Sequence, residues 1–391
     1  MIPYGKHFLD ETDIQAVVDV LRSGALTQGP VIKEFEEAIS KYVGSKYAVA
    51  VSSCTAGLHL AAVSAGMGPG DTLVTSPITF VASANAARYV GGNVVFTDIE
   101  ESTININPSS LQRSLSEHPN TKVVVPVHFA GLPCKMDKIK AICDGANVAV
   151  VEDAAHALGA TYENGQRVGS CCYSLMTVFS LHPVKAIAAG EGGVITTNDE
   201  AIFRRLLRLR SHGINKLDDS FLVSCEAKSS SGANPWYYEM QELGFHYRIT
   251  DIQCALANSQ LSKIDKFISK RREIASYYYE SLSKLPNIRP AQPQISLDLS
   301  GWHIFVVRID FPALGMDRRT FMTSLKQHNI STQVHYIPIP MHPYYSERGA
   351  NILKLPHAHA YYRECLSLPT YYSLSRQDQV YVVDTITSLL A

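Results

Sequence analysis

The chain has 391 residues, 35 Lys and Arg against 36 Asp and Glu, 46% apolar and 18% charged residues. This is the balance of a globular chain with room for two or three units; it excludes a disordered or collagen-like protein and gives no electrostatic argument for nucleic acid or an anionic membrane. No apolar run approaches the length of a membrane span, Met1 to His7 lack a signal peptide's apolar core, and eight cysteines without CxxC spacing read as reduced thiols, so a cytoplasmic protein is expected.

In chain order, residues 11 to 23 carry apolar positions at helical spacing, with Gly24 suited to end the helix. A turn through Leu26 to Pro30 leads to a second amphipathic helix, Val31 to about Tyr42. From Tyr47 the rhythm changes to short apolar strands alternating with helices. Strands are predicted at Tyr47 to Val51, Thr72 to Thr75, Asn93 to Thr97, Lys122 to Val127, Val148 to Val151, Tyr173 to Phe179 and Val194 to Thr197. Between them lie helices Leu58 to Ala65, Val81 to Tyr89, Ser109 to Glu117 and Met136 to Cys143. Continuous apolar strands in this alternation predict a mainly parallel sheet covered on both faces, with ligands at the carboxyl ends of the strands.

Further on, Ala201 to Arg210 reads as an amphipathic helix with a solvated basic face, and Ser224 to Pro235, including Ser229-Ser230-Ser231, as a flexible loop. One long helix is predicted over 251 to 283, capped by Thr250 or Asp251. Beyond Pro286, strand Trp302 to Phe311, helix Arg318 to His328, strand Thr332 to Tyr336, a Pro-rich loop, helix His357 to Arg363, a short strand and helix Arg376 to Leu390 make a compact α+β unit. The expected division is 1–265, with 1–45 as leader helices, and 266–391.

Several chemistry-bearing residues follow strands. Ser52 to Gly57 places hydroxyls and free backbone N–H groups at a helix start, which suits a phosphate, although a plain Ser/Thr N-cap explains the same residues. Glu152-Asp153-Ala154-Ala155-His156 follows a buried strand, where a carboxylate needs a cation or a shifted pKa. Ser180, His182 and Lys185 lie on a turn before Gly190-Glu191-Gly192-Gly193, so Lys185 sits on a constrained connection. A structural ion pair between Asp153 and Lys185 is one reading. The other, which uses more of the residues, is pyridoxal phosphate lying across the strand ends, with Lys185 forming a Schiff base, Asp153 on the pyridine nitrogen, Ser180 and the 52–57 turn on the phosphate, His156 on the ring hydroxyl and Phe80 over one ring face. His335 and Tyr336, in the Pro-rich region, line a sugar pocket or simply pack, and Tyr4 and Lys6 are further candidate substrate contacts. No histidine spacing specifies a metal, and none is expected.

These motifs, with Leu26 to Pro30 and Tyr247 to Gln253, resemble the DegT/DnrJ/EryC1/StrS nucleotide-sugar aminotransferases over nearly the whole chain. The resemblance implies a type I pyridoxal-phosphate fold with a smaller C-terminal α+β domain. It also implies that Lys185 is the Schiff-base lysine and proton shuttle, Asp153 the pyridinium partner, His156 the ring-hydroxyl contact, and Thr55, Ala56 and Ser180 the phosphate cradle. Pyridoxamine phosphate is then the intermediate form and L-glutamate the amino donor, in a homodimer with sites between subunits. Retention of Lys185 sets the chain apart from the family's 3-dehydratases, which carry His there. The stretches 127–131, 182–185 and 332–338 look most like UDP-4-amino-4,6-dideoxy-N-acetyl-β-L-altrosamine transaminases of pseudaminic acid synthesis. The alternatives are another nucleotide 4-keto or 3-keto sugar aminotransferase, acting on UDP-4-keto-arabinose or a dTDP-ketosugar, and, more distantly, a non-catalytic regulatory protein on the same fold. Where the family usually has Asn reaching the neighbouring subunit's phosphate, this chain has His246, and Asn234 is a candidate to take or share that contact.

Overall fold

The computed structural model describes residues 1–216, 221–230, 232–294 and 296–390. Helices α1 (Glu11–Ser23) and α2 (Pro30–Val43) open the chain. The Asp10 carboxylate caps α1 by accepting from Thr12 and Asp13, and the left-handed Gly24 ends it. Then come β1 (Tyr47–Val51), α3 (Cys54–Ser64), β2 (Thr72–Thr75), α4 (Ala82–Tyr89), β3 (Asn93–Phe96), α5 (Pro108–Glu117), β4 (Thr121–Val125), α6 (Met136–Ala146), β5 (Ala149–Asp153), β6 (Met176–Ser180), β7 (Gly193–Thr197) and α7 (Glu200–Arg210). The seven strands form one sheet in the order β1-β7-β6-β5-β4-β2-β3, and only β7 runs against its neighbours. Register decides where chemistry gathers: Gly193 stands opposite both Val51 and Ser180, and Asp153 opposite Val178. The ends of β1 and β6 are thereby level with one another, and β5 ends two residues short of them.

After α7 an arm carries β8 (Ile214–Asn215), α8 (Ser224–Ala227), β9 (Lys228–Ser229), β10 (Gly232–Ala233) and β11 (Glu239–Met240), where β9 pairs with β10 and β8 with β11. Within the stretch expected to be a flexible loop, the described residues thus form a short helix and a hairpin, while Ser231 lies outside the described residues. Helices α9 (Asp251–Leu261) and α10 (Ile264–Leu282) follow. The last part holds β12 (Ile288–Pro290), α11 (Ser296–Leu299), β13 (Phe305–Ile309), α12 (Arg318–Gln327), α13 (Pro343–Ser346), α14 (Pro356–Glu364), β14 (Cys365–Leu368) and α15 (Arg376–Leu390), with a sheet in the order β12-β13-β14.

The sheet's two faces bury separate apolar clusters, one around Phe35, Ile39 and Phe179, the other around Leu58, Leu73 and Ile195. A further core surrounds Phe305, Phe321 and Tyr278. Helix α10 contributes Phe267 and Ile268 to the first cluster and Ile274 and Tyr278 to the last, so one rigid rod joins the two cores.

Four sequence expectations are corrected. The helix over 251–283 is two helices, because the Lys263 ammonium is drawn to Asp10 and Asp13 while Ser262 bonds back to the Ser259 carbonyl. The segment 332–336 is a single bridge, Gln333 to Ser367, since the His335 ring turns in to bond the Ser367 hydroxyl. Strand β13 starts at Phe305 because the backbone of Gly301 and His303 bonds Gly131 and Ala130. The basic face of α7 is not merely solvated: Arg210 bonds the Glu36 carboxylate and the Ala50 carbonyl, and Arg205 bonds Glu242.

Asp251 ties the leader to the body: its buried carboxylate accepts from the N–H groups of Gly29 (2.9 Å) and Val31 (3.1 Å). Asp251→Ala leaves both donors without that partner and is expected to destabilise the chain by about 2 kcal/mol. Urea unfolding checks it, with a lowered midpoint as the expected result.

Candidate active site

Lys185 lies on the connection between β6 and β7, which is folded back on itself by the bonds Leu181 N–H to Gly192 O, Ala189 N–H to Leu181 O and Lys185 N–H to His182 O. Gly193 begins β7 where a Cβ would stand 2.6 Å from Cys54 N and Ser53 C, so this hairpin presses against the start of α3. The Ser53 hydroxyl caps α3 by accepting from Ala56 N–H, which leaves the N–H groups of Cys54 and Thr55 at the helix start without an intrahelical partner. Ser180 closes β6 beside them, its hydroxyl 3.4 Å from His182 N. The Lys185 amine is 3.4 Å from His303 Nε2. Burial pushes it down to about 8; Cys54 and Asp153 act in the opposite direction, and the Arg271 guanidinium lowers it further.

Asp153 ends β5 with a buried carboxylate that accepts from the Ser83 hydroxyl at 2.6 Å and Ala155 N–H at 3.1 Å. Ser83, on α4, is in turn bonded to Thr79 at 2.8 Å. No ion pair joins Asp153 to Lys185 among the described residues, so the structural pair considered from sequence is not formed. The preceding Glu152 points to the opposite side of the strand and accepts from His128, Tyr162, Ser174 and Thr177. His128 Nδ1 accepts from Cys134 N–H, which assigns the proton to Nε2, the atom facing Glu152 at 2.6 Å. Burial alone would raise the Glu152 carboxyl; led by His128, its donors hold it below the usual value.

His156 Nε2 is 2.9 Å from the Tyr336 hydroxyl, and the two rings lie within 23° of parallel. Its Nδ1 is buried without a hydrogen-bond partner, and burial followed by the Lys185 charge lowers its pKa well below the ordinary value. The assignment of His156 to a ring hydroxyl is therefore narrowed to Nδ1, Nε2 being occupied by Tyr336. His335 packs its ring 5.6 Å from that of Tyr4 and is pushed down to about 4 by burial and then by Lys185. The Tyr4 carbonyl accepts from Thr370 N–H, which holds the N-terminal strand of chain at the cleft. Lys6 and Lys185 line a cavity of about 10 Å³ with Arg271 and Tyr372. Phe80 stands just before α4, 59% exposed.

Two candidates are not brought to this cleft by their own chain. His246 bridges Ser211 in the backbone with its ring 5.4 Å from His212, and the Asn234 amide donates to the Glu226 carbonyl inside the arm. Sequence reasoning missed Ser83, Arg271 and His303. The one signal for His303 was a histidine at the head of an apolar run, and nothing local marked Ser83. The larger cavities, about 920 Å³ beside β13 and α12 and about 720 Å³ at the outer edge of β3, do not contain these converging side chains. Among the described residues no group of three or more His, Cys, Asp or Glu is arranged to hold a metal, and no helix is long and apolar enough to cross a membrane.

The model of the DegT/DnrJ/EryC1/StrS aminotransferase family matches residues 7–387. Over 392 residues the chain is 38% identical to the Bacillus subtilis (strain 168) spore coat polysaccharide biosynthesis protein SpsC, covering 100% of this chain and 97% of the relative. Among solved structures, Helicobacter pylori PseC, an aminotransferase involved in the biosynthesis of pseudoaminic acid, is 29% identical with a TM-score of 0.88, covering 100% of this chain and 99% of that one. The putative sugar aminotransferase Spr1654 from Streptococcus pneumoniae in its PMP form is 27% identical with a TM-score of 0.89 and the same coverage, and its PLP form is similar at a TM-score of 0.87. The residues here fit that cofactor: a buried carboxylate for a pyridinium nitrogen, a lysine of lowered pKa, a buried unpartnered His156 Nδ1 and a helix start with two free N–H groups. The chain thus belongs to the DegT/DnrJ/EryC1/StrS family and is a pyridoxal-phosphate-dependent sugar aminotransferase on a mixed α/β fold with a large, mainly parallel central sheet.

Proposed function

We propose that this enzyme transfers the amino group of L-glutamate to C4 of a UDP-4-keto-6-deoxy-N-acetylhexosamine, a step of pseudaminic acid synthesis. The observation that carries the reading is the meeting of Lys185, Asp153 and His156 with His335, Tyr336 and Tyr4, which joins an amine and a carboxylate to a polar aromatic wall suited to a sugar. Likeness to PseC supports the substrate. The higher identity to a spore coat polysaccharide protein favours a second reading, another nucleotide 4-keto or 3-keto sugar such as UDP-4-keto-arabinose or a dTDP-ketosugar.

Bound pyridoxal phosphate supplies an electron-withdrawing ring and a carbonyl carbon that captures amines. In this reading Lys185 would hold the cofactor and, once its amine is free, its Nζ would take and return the substrate proton; a pKa near 8 leaves an appreciable neutral fraction near pH 7.5. Asp153, its carboxylate oriented by the Ser83 hydroxyl and the Ala155 N–H, would face the ring nitrogen. His156 Nδ1 would meet the ring oxygen, Phe80 would cover a ring face, and Thr55 and Ser180 would receive the phosphate with the free Cys54 N–H, whereas Ala56, expected in that cradle, has its N–H given to the Ser53 hydroxyl. Lys6, Tyr4, His335 and Tyr336 contact the sugar nucleotide.

The handover of packing inside α10, between Ile268 and Ile274, supports reading two units with 1–45 as leader helices, and it falls a few residues beyond the expected division of 1–265 and 266–391. The arm exposes Leu222 (78%), Trp236 (73%) and Leu243 (76%), too much apolar surface to leave in water, which supports a homodimer closed over it. Asn234 and His246, which among the described residues make no hydrogen bond or ring contact with their own chain's Lys185, would then reach the cofactor phosphate of the partner's site. Seven described cysteines are free thiols, in keeping with a cytoplasmic setting.

Lys185→Ala is expected to abolish turnover with the fold retained by circular dichroism, and full activity would reject the assignment. Asp153→Asn should lower the rate at least about 100-fold in single-turnover assays. The substrate is tested by the visible absorption of the holoenzyme: L-glutamate should bleach the band and a UDP-4-keto-6-deoxy-N-acetylhexosamine should restore it, whereas restoration by a dTDP-ketosugar alone selects the second reading. Trp236→Glu should convert the dimer to a monomer in sedimentation velocity.

A further inference from the structure

His303 enters the cleft from the opposite core and is anchored from three sides. Its N–H donates to Ala130 O at 2.9 Å, its carbonyl accepts from the Arg271 guanidinium at 2.9 Å, and the preceding Gly301 N–H bonds Gly131 O. Gly131 has a positive φ of 105°, and a Cβ there would stand 2.7 Å from Trp302 N, so the two segments touch backbone to backbone. The ring is 5% exposed and lies 4.4 Å, centroid to centroid, from the His156 ring. Among the described residues, the hydrogen bond to His303 Nε2 is the one bond the Lys185 amine makes.

The geometry points to His303 as the positioning residue of Lys185: a neutral imidazole whose Nε2 accepts a hydrogen bond from the Lys185 amine whenever that amine is free, holding it at one place in the cleft. Neutrality follows from the surroundings. Burial disfavours the imidazolium, and the charges that act on the ring are the cations Lys185 and Arg271, with His156 and His335 beside them. With Nε2 accepting, the proton is on Nδ1, the atom that is buried without a partner. The Asp153 carboxylate is engaged by Ser83 and Ala155 and makes no ion pair with Lys185 among the described residues, so His303 and not the carboxylate sets where the amine rests. A neutral acceptor steadies the amine without quenching its charge change, whereas an ion pair would fix the proton on Lys185.

The inference rests on Lys185 being the lysine that captures the cofactor, and its test separates the two. The full-length chain, stripped of cofactor, is mixed with pyridoxal phosphate, and the capture rate is followed by absorbance against pH. Capture needs the neutral amine, so the native rate should rise with pH through an inflection near 8. An accepting imidazole favours the ammonium; His303→Phe should therefore move the inflection down by about one pH unit and slow the single-turnover glutamate half-reaction about 10- to 100-fold. His303→Gln, which keeps an acceptor, should restore most of both. A Phe variant with the native inflection and half-reaction rate overturns the proposal, as does a Gln variant no better than Phe. Should His303→Phe fail to fold, ¹⁵N-histidine NMR of the native chain decides: a neutral His303 with the proton on Nδ1, and an Nε2 resonance that moves on Lys185→Ala, upholds it, and an imidazolium or an unmoved resonance overturns it. Unaltered pyridoxal phosphate capture by Lys185→Ala would instead sink the assignment of Lys185 itself.

Discussion

Asp153 and Lys185 share one cleft without forming an ion pair, and each is held by partners of its own. A buried carboxylate left alone would neutralise itself or seize the nearest ammonium. Here its demand is met locally by the Ser83 hydroxyl and the Ala155 N–H, both of which donate to it. Lys185 rests instead on a neutral imidazole, which leaves its proton free to come and go. A direct ion pair would satisfy both groups and leave neither available.

The sheet provides the fixed distances this separation needs. Asp153 and Ser180 end adjacent strands, and the hairpin into β7 returns the chain so that Lys185 is pinned by its own backbone bonds. On the far side of β5, Glu152 is held by four side-chain donors, which makes the strand end rigid just before Asp153. The polar network behind the site therefore acts on the geometry of the carboxylate in front of it without touching the cleft.

The cleft is also a meeting of two cores. Lys185, Asp153 and the start of α3 belong to the large sheet, whereas His303, His335 and Tyr336 come from the part built on β13 and β14. Helix α10 crosses between the cores and sends Arg271 to the backbone carbonyls of Trp302, His303 and Thr370, so the side that bears His303 is fastened from within. The arm with Trp236 and Leu243 exposes apolar side chains, and within it Asn234 is engaged by the Glu226 carbonyl while the His246 ring packs near His212.

The alternation of apolar strands and helices, the small-residue turn at Ser53 and the pattern around Asp153, His156 and Lys185 were legible in the sequence because each is a local matter of periodicity, capping or adjacent residues; strand limits such as Tyr47–Val51 and Thr72–Thr75 follow directly from it. What local pattern cannot carry is the choice among partners distant in the chain. The split at Ser262 depends on Asp10 and Asp13, from the far end of the chain, and the loss of the 332–336 strand on a histidine that turns toward Ser367. Asp153 finding Ser83 and Lys185 finding His303 are likewise outcomes of packing over separations of 70 and 118 residues, since a buried polar group takes whichever donor or acceptor the assembled core brings within reach. The sequence alone determined which groups are present at the strand ends; the tertiary structure decided which of them touch, because hydrogen bonding is short-ranged and the contacts exist only after both cores have closed.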